Sequence, residues 1–217
     1  MKKIYIGKGI QTDSVYLSDD SIYIYGQQIP LSRIKTTLIG KHTLYNMATA
    51  IAICVYLGVN TDKCAEYAAS FNGLEHRLEY IGTYNGVRYF NDSISTIPEA
   101  CICALESIDD VKTLIVGGMD RGVSYDNLCK YLAAAGSLEN VIFIYASGER
   151  IYNQIKSLSP KPKIFLETNL KNAVRLAKNI TKSGSCLMSP AAASYGYFKN
   201  FEERGNKFKF YVRSEVD

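Results

Sequence analysis

Hydrophobic and polar positions follow two different patterns along the 217-residue chain, and the pattern changes near Gly73. Before this point, short alternating stretches predict strands, and two periodic stretches rich in alanine predict helices. The predicted strands are residues 3–6, 14–17 and 21–25, and the predicted helices are residues 44–57 and 61–71, with Thr61 as the cap of the second helix. These few elements do not make a complete domain, so we expect residues 1–73 to be the last part of a longer one.

After Gly73, the chain shows a β-hairpin and then an alternation of strands and helices. Asn85-Gly86 separates two alternating stretches, and this pair favours a hairpin turn because both residues tolerate positive φ. Thr96 and Glu99 have the spacing of a capping box, and Ser147 is predicted to cap a later helix. The later strands are predicted at residues 111–116, 141–145, 163–166 and 186–188, and the helices at residues 96–106, 125–135, 147–158, 170–180 and 198–212.

This alternation predicts the fold class. Apolar strands separated by amphipathic helices are typical of a parallel sheet that helices cover on both faces. We therefore predict an α/β fold with a doubly wound, mostly parallel sheet in residues 74–217, preceded by the partial domain of residues 1–73.

Three loops rich in polar or small residues follow predicted strands, at residues 91–96, 117–122 and 189–194. Ligands of open α/β sheets bind beyond the carboxyl ends of the strands, so we expect the loops to converge on one site. Each loop also has a simpler interpretation. Residues 91–93 could only cap a helix, residues 189–194 could only pack tightly, the glycines of the middle loop could only turn the chain, and Asp120 and Arg121 could form a surface ion pair of little energetic value.

Charge and composition narrow the class of partner. Lysine and arginine number 25 against 21 aspartate and glutamate, a formal net charge of +4, and no long basic run occurs. We therefore expect no nucleic-acid partner, because such a partner normally requires a clustered basic face. We also expect no membrane partner and a cytoplasmic location, because no apolar run is long enough to cross a bilayer and no secretory segment begins at Met1.

The cysteine, histidine and glycine residues do not indicate a particular cofactor or nucleotide. The six cysteines lie in apolar stretches and the chain has only two histidines, so we expect core thiols, no disulfide and no metal site. Neither the dinucleotide fingerprint G-x-G-x-x-G nor the phosphate loop G-x-x-x-x-G-K-[ST] occurs. The residues alone therefore predict an α/β domain that binds a small anionic ligand.

Six segments resemble those of Mur ligases, and they follow one another in the order typical of the glutamate-adding branch. They are GKHTLYN at residues 40–46, FNGLEHRLE at 71–79, NDS at 91–93, GG at 117–118, SPAAAS at 189–194 and FKNFEERG at 198–205. The resemblance runs from about Gly40 to the end of the chain.

The resemblance implies a domain assignment and a reaction. Mur ligases have an amino-terminal domain for the UDP substrate, a central ATPase domain and a Rossmann-like carboxyl-terminal domain. By resemblance, residues 1–73 are the end of the central domain and residues 74–217 the glutamate-binding domain. The implied reaction uses ATP and Mg²⁺ to activate UDP-N-acetylmuramoyl-L-alanine as an acyl phosphate, which glutamate attacks, in peptidoglycan synthesis. We expect a monomer that is inactive by itself, because the phosphate loop and most Mg²⁺ ligands belong to the front part of the family.

The resemblance also implies roles for individual residues, with no catalytic residue and no metal ligand among them. The expected ATP-binding residues are Asn46, Arg77 and Asp92, and the expected glutamate-binding residues are Thr96, Arg121, Ser194 and Phe201. A guanidinium suits phosphate or carboxylate because it donates two parallel hydrogen bonds. Phe201 also has a simpler interpretation as a core residue of the last helix.

The chain departs from the family pattern at three positions that bear on substrate choice. Ile94 stands where the family has lysine, Ile97 where it has asparagine, and Thr43 where it has another asparagine. Isoleucine supplies no charge to a substrate, and both D-glutamate and L-glutamate stay open. Two alternatives also stay open: a stand-alone binding or regulatory domain without catalysis, and a related amide ligase for another amino acid.

Overall fold

A computed structural model describes residues 6–8, 15–34 and 38–214. The chain divides into two compact units, Met1–Gly73 and Leu74–Asp217. Each unit has its own hydrophobic core. The assignment of the units to particular domains of a Mur ligase stays a prediction.

The first unit contains a four-stranded sheet and two α-helices. Its elements are β1 (Ile6–Lys8), β2 (Val15–Leu17), β3 (Ser21–Ile24), β4 (Gln27–Pro30), a 3-10 turn (Leu31–Arg33), α1 (Lys41–Tyr56) and α2 (Thr61–Ser70). The strands pair in chain order, the first pair parallel and the others antiparallel. The predicted strand at residues 3–6 lies outside the described residues except for Ile6. Strand β4 was not predicted, because Ile29 is its one buried side chain.

The core of this unit forms between β3, β4 and the buried face of α1, with Ile22, Ile29 and Ile51 among its members. The cap of α2 differs from the prediction. Asn60, not Thr61, precedes the helix, and its side-chain oxygen accepts from the amides of residues 62 and 63. Asparagine is a strong N-cap because its short side chain reaches these unpaired amides.

The second unit is the predicted α/β domain. Its strands are β5 (Glu79–Tyr84), β6 (Val87–Asn91), β7 (Val111–Val116), β8 (Asn140–Ile144), β9 (Lys163–Glu167) and β10 (Ser185–Met188). Its helices are α3 (Pro98–Ser107), α4 (Asp126–Ala134), α5 (Tyr145–Lys156), α6 (Leu170–Ile180) and α7 (Phe201–Arg213). The six-stranded sheet has the order β5-β6-β10-β7-β8-β9, and only the β5–β6 pair is antiparallel. The mostly parallel sheet is confirmed.

Helices cover both faces of this sheet, as a doubly wound fold requires. Helix α4 packs against both α3 and α5, and α6 packs against α7. The α6–α7 layer closes a core in which Phe208 and Val174 meet the strand residues Ile115, Ile142 and Met188. The central strands β7, β8 and β10 are almost fully buried, which explains their continuous apolar runs.

The turns and caps of the second unit confirm one prediction and correct others. Asn85 and Gly86 both have positive φ, at 51° and 78°, so the hairpin turn is confirmed. The predicted capping box is wrong, because α3 begins at Pro98 and no side chain caps it. Ser147 is not a cap either, since α5 starts directly after β8 and places Ser147 inside its first turn.

Helix α7 begins at Phe201, three residues later than predicted, because the Asn200 side chain accepts from the Glu203 amide and so caps the helix there. All six cysteines are free thiols; Cys54 and Cys103 are exposed, and the other four are buried as predicted. Within the described ranges, the helices are too short or too polar to cross a membrane.

Candidate active site

The loops after β7 and β10 lie against each other at the carboxyl edge of the sheet. The Met119 amide donates to the Ala193 carbonyl at 2.8 Å, and the Gly117 amide donates to the Pro190 carbonyl at 2.9 Å. This approach requires glycine, because a Cβ on Gly118 would lie 2.4 Å from the Ala193 carbonyl oxygen. The two glycines therefore do more than turn the chain, and the predicted convergence of these loops is confirmed.

Arg204 of α7 ties the loop after β6 to the loop after β10. Its guanidinium is fully buried and donates to the Ser93 carbonyl at 2.7 Å, to Ser93 Oγ at 3.0 Å and to the Ala192 carbonyl at 3.0 Å. Burial lowers the pKa of this guanidinium to about 10, so the cation persists at neutral pH. All three loops are thus connected through hydrogen bonds.

Two of the predicted glutamate-binding residues meet directly. The Arg121 side chain donates from Nη2 to the Thr96 carbonyl at 2.8 Å, and Arg121 is exposed. Asp120 pairs with Arg150 at 2.8 Å rather than with Arg121. The Arg150 guanidinium also donates to the Val123 carbonyl and so holds both ends of the loop that presents Arg121.

The other two predicted glutamate-binding residues border the same loops. Ser194 is buried at the end of the loop after β10, which Arg204 holds through Ala192. Phe201 is half-buried at the start of α7, and its carbonyl accepts from Ser93 Oγ at 2.7 Å. The partial burial of Phe201 leaves both interpretations of this residue open.

The loop that carries Arg77 has a strained backbone. His76 and Leu78, on either side of Arg77, have positive φ of 63° and 47°, a conformation that non-glycine residues adopt only when their surroundings impose it. Two carboxylates hold it: Glu79 Oε2 accepts from the His76 amide at 2.9 Å, and Asp92 Oδ1 accepts from the Leu78 amide at 3.3 Å. Arg77 lies between these two contacts, and its side chain is half-exposed.

Asp92 is buried beneath this loop, with 1% of its surface exposed. Its second carboxylate oxygen accepts from Ser189 Oγ at 2.8 Å. The pKa of this carboxyl is raised, because burial disfavours its charged form. Hydrogen bonds from Ser95 and Ser189 and the charge of Arg77 offset only part of this effect. A direct contact between Asp92 and ATP stays a prediction. The hydrogen bond that Asp92 accepts from the Leu78 amide holds the backbone next to Arg77.

His76 is held as the neutral tautomer with its proton on Nε2. The Asn91 amide nitrogen donates one hydrogen to Glu79 Oε2 at 2.9 Å, which fixes the orientation of the amide. The same nitrogen lies 2.8 Å from His76 Nδ1, so that ring nitrogen must accept. Burial is the main cause that lowers the pKa of His76, and the charge of Lys209 adds to it.

The remaining predicted ATP-binding residue, Asn46, lies in the first unit, on α1, where it is exposed. Its role stays a prediction. In the described part of the chain, no group of three His, Cys, Asp or Glu side chains is arranged to hold a metal ion.

Arg204, Glu79 and Lys209 belong to this site, and the sequence interpretation assigned none of them a role. Arg204 and Glu79 lie inside segments that resemble the family, which was the available signal. The burial of Arg204 and Lys209 was not readable from sequence, because charged residues are normally exposed.

The chain is similar in sequence to known ligases. The chain is 35% identical over 207 residues to a UDP-N-acetylmuramoylalanine–D-glutamate ligase of Thermoanaerobacter sp. strain X514, and the match covers 93% of this chain. It is 34% identical over 218 residues to the protein of the same name from Clostridium tetani, covering 98% of this chain. The chain belongs to the Mur ligase family. No family model matches it.

The match covers 45% and 46% of these two relatives, so the chain spans about half of their length. Solved structures show that the fold is that of Mur ligases and related enzymes. UDP-N-acetylmuramate-alanine ligase MurC from Thermotoga maritima superposes with a TM-score of 0.65 at 18% identity, over 93% of this chain and 46% of that one. Folylpolyglutamate synthase from Mycobacterium tuberculosis gives 0.67 at 12% identity, over 96% and 50%.

Proposed function

We propose that this chain is the carboxyl-terminal half of an ATP-dependent Mur ligase that joins glutamate to UDP-N-acetylmuramoyl-L-alanine in peptidoglycan synthesis. The observation that carries the proposal is the contact between Arg121 and Thr96, in loops tied to Ser194 and Phe201. A guanidinium and two hydroxyl groups are suitable donors for the two carboxylates of glutamate. The names of the relatives support this substrate class.

Arg121 is the proposed carboxylate-binding cation. One of its five N–H donors binds the Thr96 carbonyl, so the exposed guanidinium keeps donors for a ligand. Arg150 holds the loop through Asp120 and so limits the freedom that glutamate binding would have to remove. Ile94 supplies no charge, which leaves Arg121 as the cation of these loops that faces solvent. The relatives favour D-glutamate, and L-glutamate is the alternative.

For ATP, the fit differs among the three expected residues. Arg77 fits a phosphate group, because it is half-exposed and its Nη1 makes only a long hydrogen bond of 3.4 Å to Ser95 Oγ. Asn46 is exposed and has an amide that suits a nucleobase. Asp92 is buried and better suited to support Arg77. When bound, ATP would supply the phosphoryl group that activates the acceptor carboxylate.

The described residues form no group of three His, Cys, Asp or Glu side chains that could hold a metal ion by themselves, and Mg²⁺ in nucleotide sites is usually held by one or two carboxylates together with phosphate oxygens. We therefore assign no Mg²⁺ ligand to this part of the chain. The proposed partners are ATP, glutamate and the UDP-linked acceptor, for a monomeric enzyme in the cytoplasm where these nucleotides are made.

The test is Arg121→Ala in a complete ligase that contains this chain. Loss of a charge-assisted pair is expected to raise the KM for glutamate about 10- to 100-fold, with the KM for ATP nearly unchanged. The matched control is Arg88→Ala. Arg88 also donates to one main-chain carbonyl, that of Asp109 at 2.9 Å, but it lies on the hairpin and not in the three loops of the site. We expect the control to leave both constants unchanged.

An unchanged glutamate KM in the Arg121 variant would refute this assignment. Competition among D-glutamate, L-glutamate and diamino acids in the same assay separates the proposed substrate from a related amide ligase. A complete protein that turns over none of them would favour the binding or regulatory alternative.

A further inference from the structure

Glu79 is the centre of the contacts that hold the Arg77 loop. One of its oxygens, Oε2, accepts from the His76 amide and from the Asn91 side chain, both at 2.9 Å. The other oxygen, Oε1, accepts from Lys209 Nζ at 3.1 Å. Both oxygens are therefore used, and the side chain is only 21% exposed.

Helix α7 provides the surface on which this loop rests. Phe201, Gly205 and Lys209 are spaced four residues apart and so lie along one face of the helix. The Phe201 ring meets the His76 ring edge-on at 6.0 Å, and a Cβ on Gly205 would lie 2.2 Å from His76 Nδ1. Lys209 completes the face with ion pairs.

Lys209 is the cation of this face. Its side chain is 9% exposed, and its Nζ lies 2.6 Å from Glu75 Oε1 as well as 3.1 Å from Glu79 Oε1. A nearly buried ammonium is stable only when it is paired, so both carboxylates of the loop are drawn onto α7. The charge pair is thus the link between the helix and the strained backbone around Arg77.

We propose that Glu79, held by Lys209, is a positioning residue that fixes Arg77 for a phosphate group of the nucleotide. This inference rests on the proposed function, in which Arg77 binds ATP. Glu79 contacts no ligand itself. It compensates the unfavourable backbone conformation at His76, and the guanidinium of the next residue is thereby kept in one place before the nucleotide arrives. Such preorganisation matters, because a displacement of about 1 Å can cost about 100-fold in rate.

Glu79→Gln is the variant that tests the role of Glu79 most directly. Oε2 receives donors from the His76 amide and Asn91, and Oε1 receives a donor from Lys209, so either orientation of a glutamine amide places its NH₂ group against another donor. Lys209→Met removes the other half of the pair at similar length, and Lys209→Arg is the conservative variant expected to restore it.

Lys112→Met is the matched control. Lys112 also pairs with two carboxylates, Asp110 at 3.0 Å and Glu139 at 3.7 Å, but at the amino end of β7. This edge of the sheet is opposite to the candidate site.

The first measurement is hydrogen exchange at the amides of residues 76–78 in the 217-residue chain, and it requires no assumption about function. Glu79→Gln and Lys209→Met should accelerate this exchange about tenfold or more, while Lys209→Arg and Lys112→Met should leave it close to wild type. Unchanged exchange in Glu79→Gln would overturn the proposal.

The second measurement is steady-state kinetics in the complete ligase. Arg77→Ala and Glu79→Gln should each raise the KM for ATP about 10- to 100-fold, with the KM for glutamate changed less than about twofold. The double variant should resemble Arg77→Ala, because Glu79 acts only through Arg77, whereas an independent structural role would make the effects additive.

These outcomes separate the two proposals. If Arg77→Ala leaves the KM for ATP unchanged, the ATP-binding assignment of the proposed function fails. If Arg77→Ala raises the KM and Glu79→Gln does not, the assignment stands and the positioning role of Glu79 is overturned.

Discussion

Replacement of Gly205 by alanine is expected to destabilise the protein, although alanine favours helices. Gly205 lies in α7 directly beneath His76. An added Cβ would lie 2.2 Å from His76 Nδ1, 2.8 Å from Cε1 and 3.0 Å from Asn91 Nδ2. Carbon atoms pack at about 3.5–4.0 Å, so the helix and the loop would have to separate by more than about 1 Å.

The expected change in the free energy of unfolding follows from one stabilising effect and two destabilising effects. Alanine gains about 1 kcal/mol over glycine in a helix. Separation of the loop would break the 2.8 Å hydrogen bond between His76 and Asn91, which costs about 1 kcal/mol and cancels this gain. Overpacking then costs about 1–3 kcal/mol, which is the net destabilisation that we expect for Gly205→Ala.

The assay is urea unfolding followed by circular dichroism, since the chain has no tryptophan. Gly136→Ala is the control, because no atom lies within 4 Å of the added Cβ, and it should be neutral or stabilise by about 0.4–1 kcal/mol. A Gly205→Ala protein as stable as the wild type, beside a control that behaves as expected, would show that the loop moves away at no cost.

Two further predictions concern buried charged or titratable groups. His76 should titrate below its usual pKa of 6.5 and show the Nε2–H tautomer by NMR, because burial and the charge of Lys209 disfavour its cation. Since the fold favours neutral His76, the free energy of unfolding should fall as the pH drops from 6.5 through the pKa of His76 in the folded protein. A His76 pKa at or above 6.5 in the folded protein would contradict this prediction. Arg204→Met should lower the free energy of unfolding by about 2–4 kcal/mol, because the buried carbonyls of Ser93 and Ala192 lose their donor. It should also speed amide hydrogen exchange in residues 91–96. An unchanged free energy of unfolding in urea would refute the prediction.

The sequence predicted the elements that local patterns determine. Helix α6 (Leu170–Ile180) was predicted at its observed bounds, because its apolar positions recur with helical periodicity. The hairpin turn was readable from Asn85 and Gly86, whose positive φ is a local property. The convergence of the loops was also predictable, since the carboxyl ends of parallel strands share one edge.

Features that depend on distant partners were not predictable. Ser147 looked like a cap, but the Gly118 amide, 29 positions away, donates to its hydroxyl at 2.8 Å. Arg204 is buried because carbonyls of two loops surround it, and one of them is 111 positions earlier in the chain. Asp92 was expected to bind ATP, yet it is buried and hydrogen-bonded to Ser189 and to the Leu78 amide, which the sequence does not place beside it.

The hydrogen bonds among the three loops have a consequence for the evolution of the proposed amino-acid site. The loop after β6 is held by an arginine of α7, that arginine also holds the loop after β10, and the latter pairs with the loop after β7 through Ala193. The loops are linked to one another by hydrogen bonds. A substitution in one loop that adapts the site to a different amino-acid substrate is therefore expected to disturb the other two loops. A change of substrate is therefore expected to need coordinated replacements in all three, and transplanting a single loop from a relative should give a folded but unselective protein.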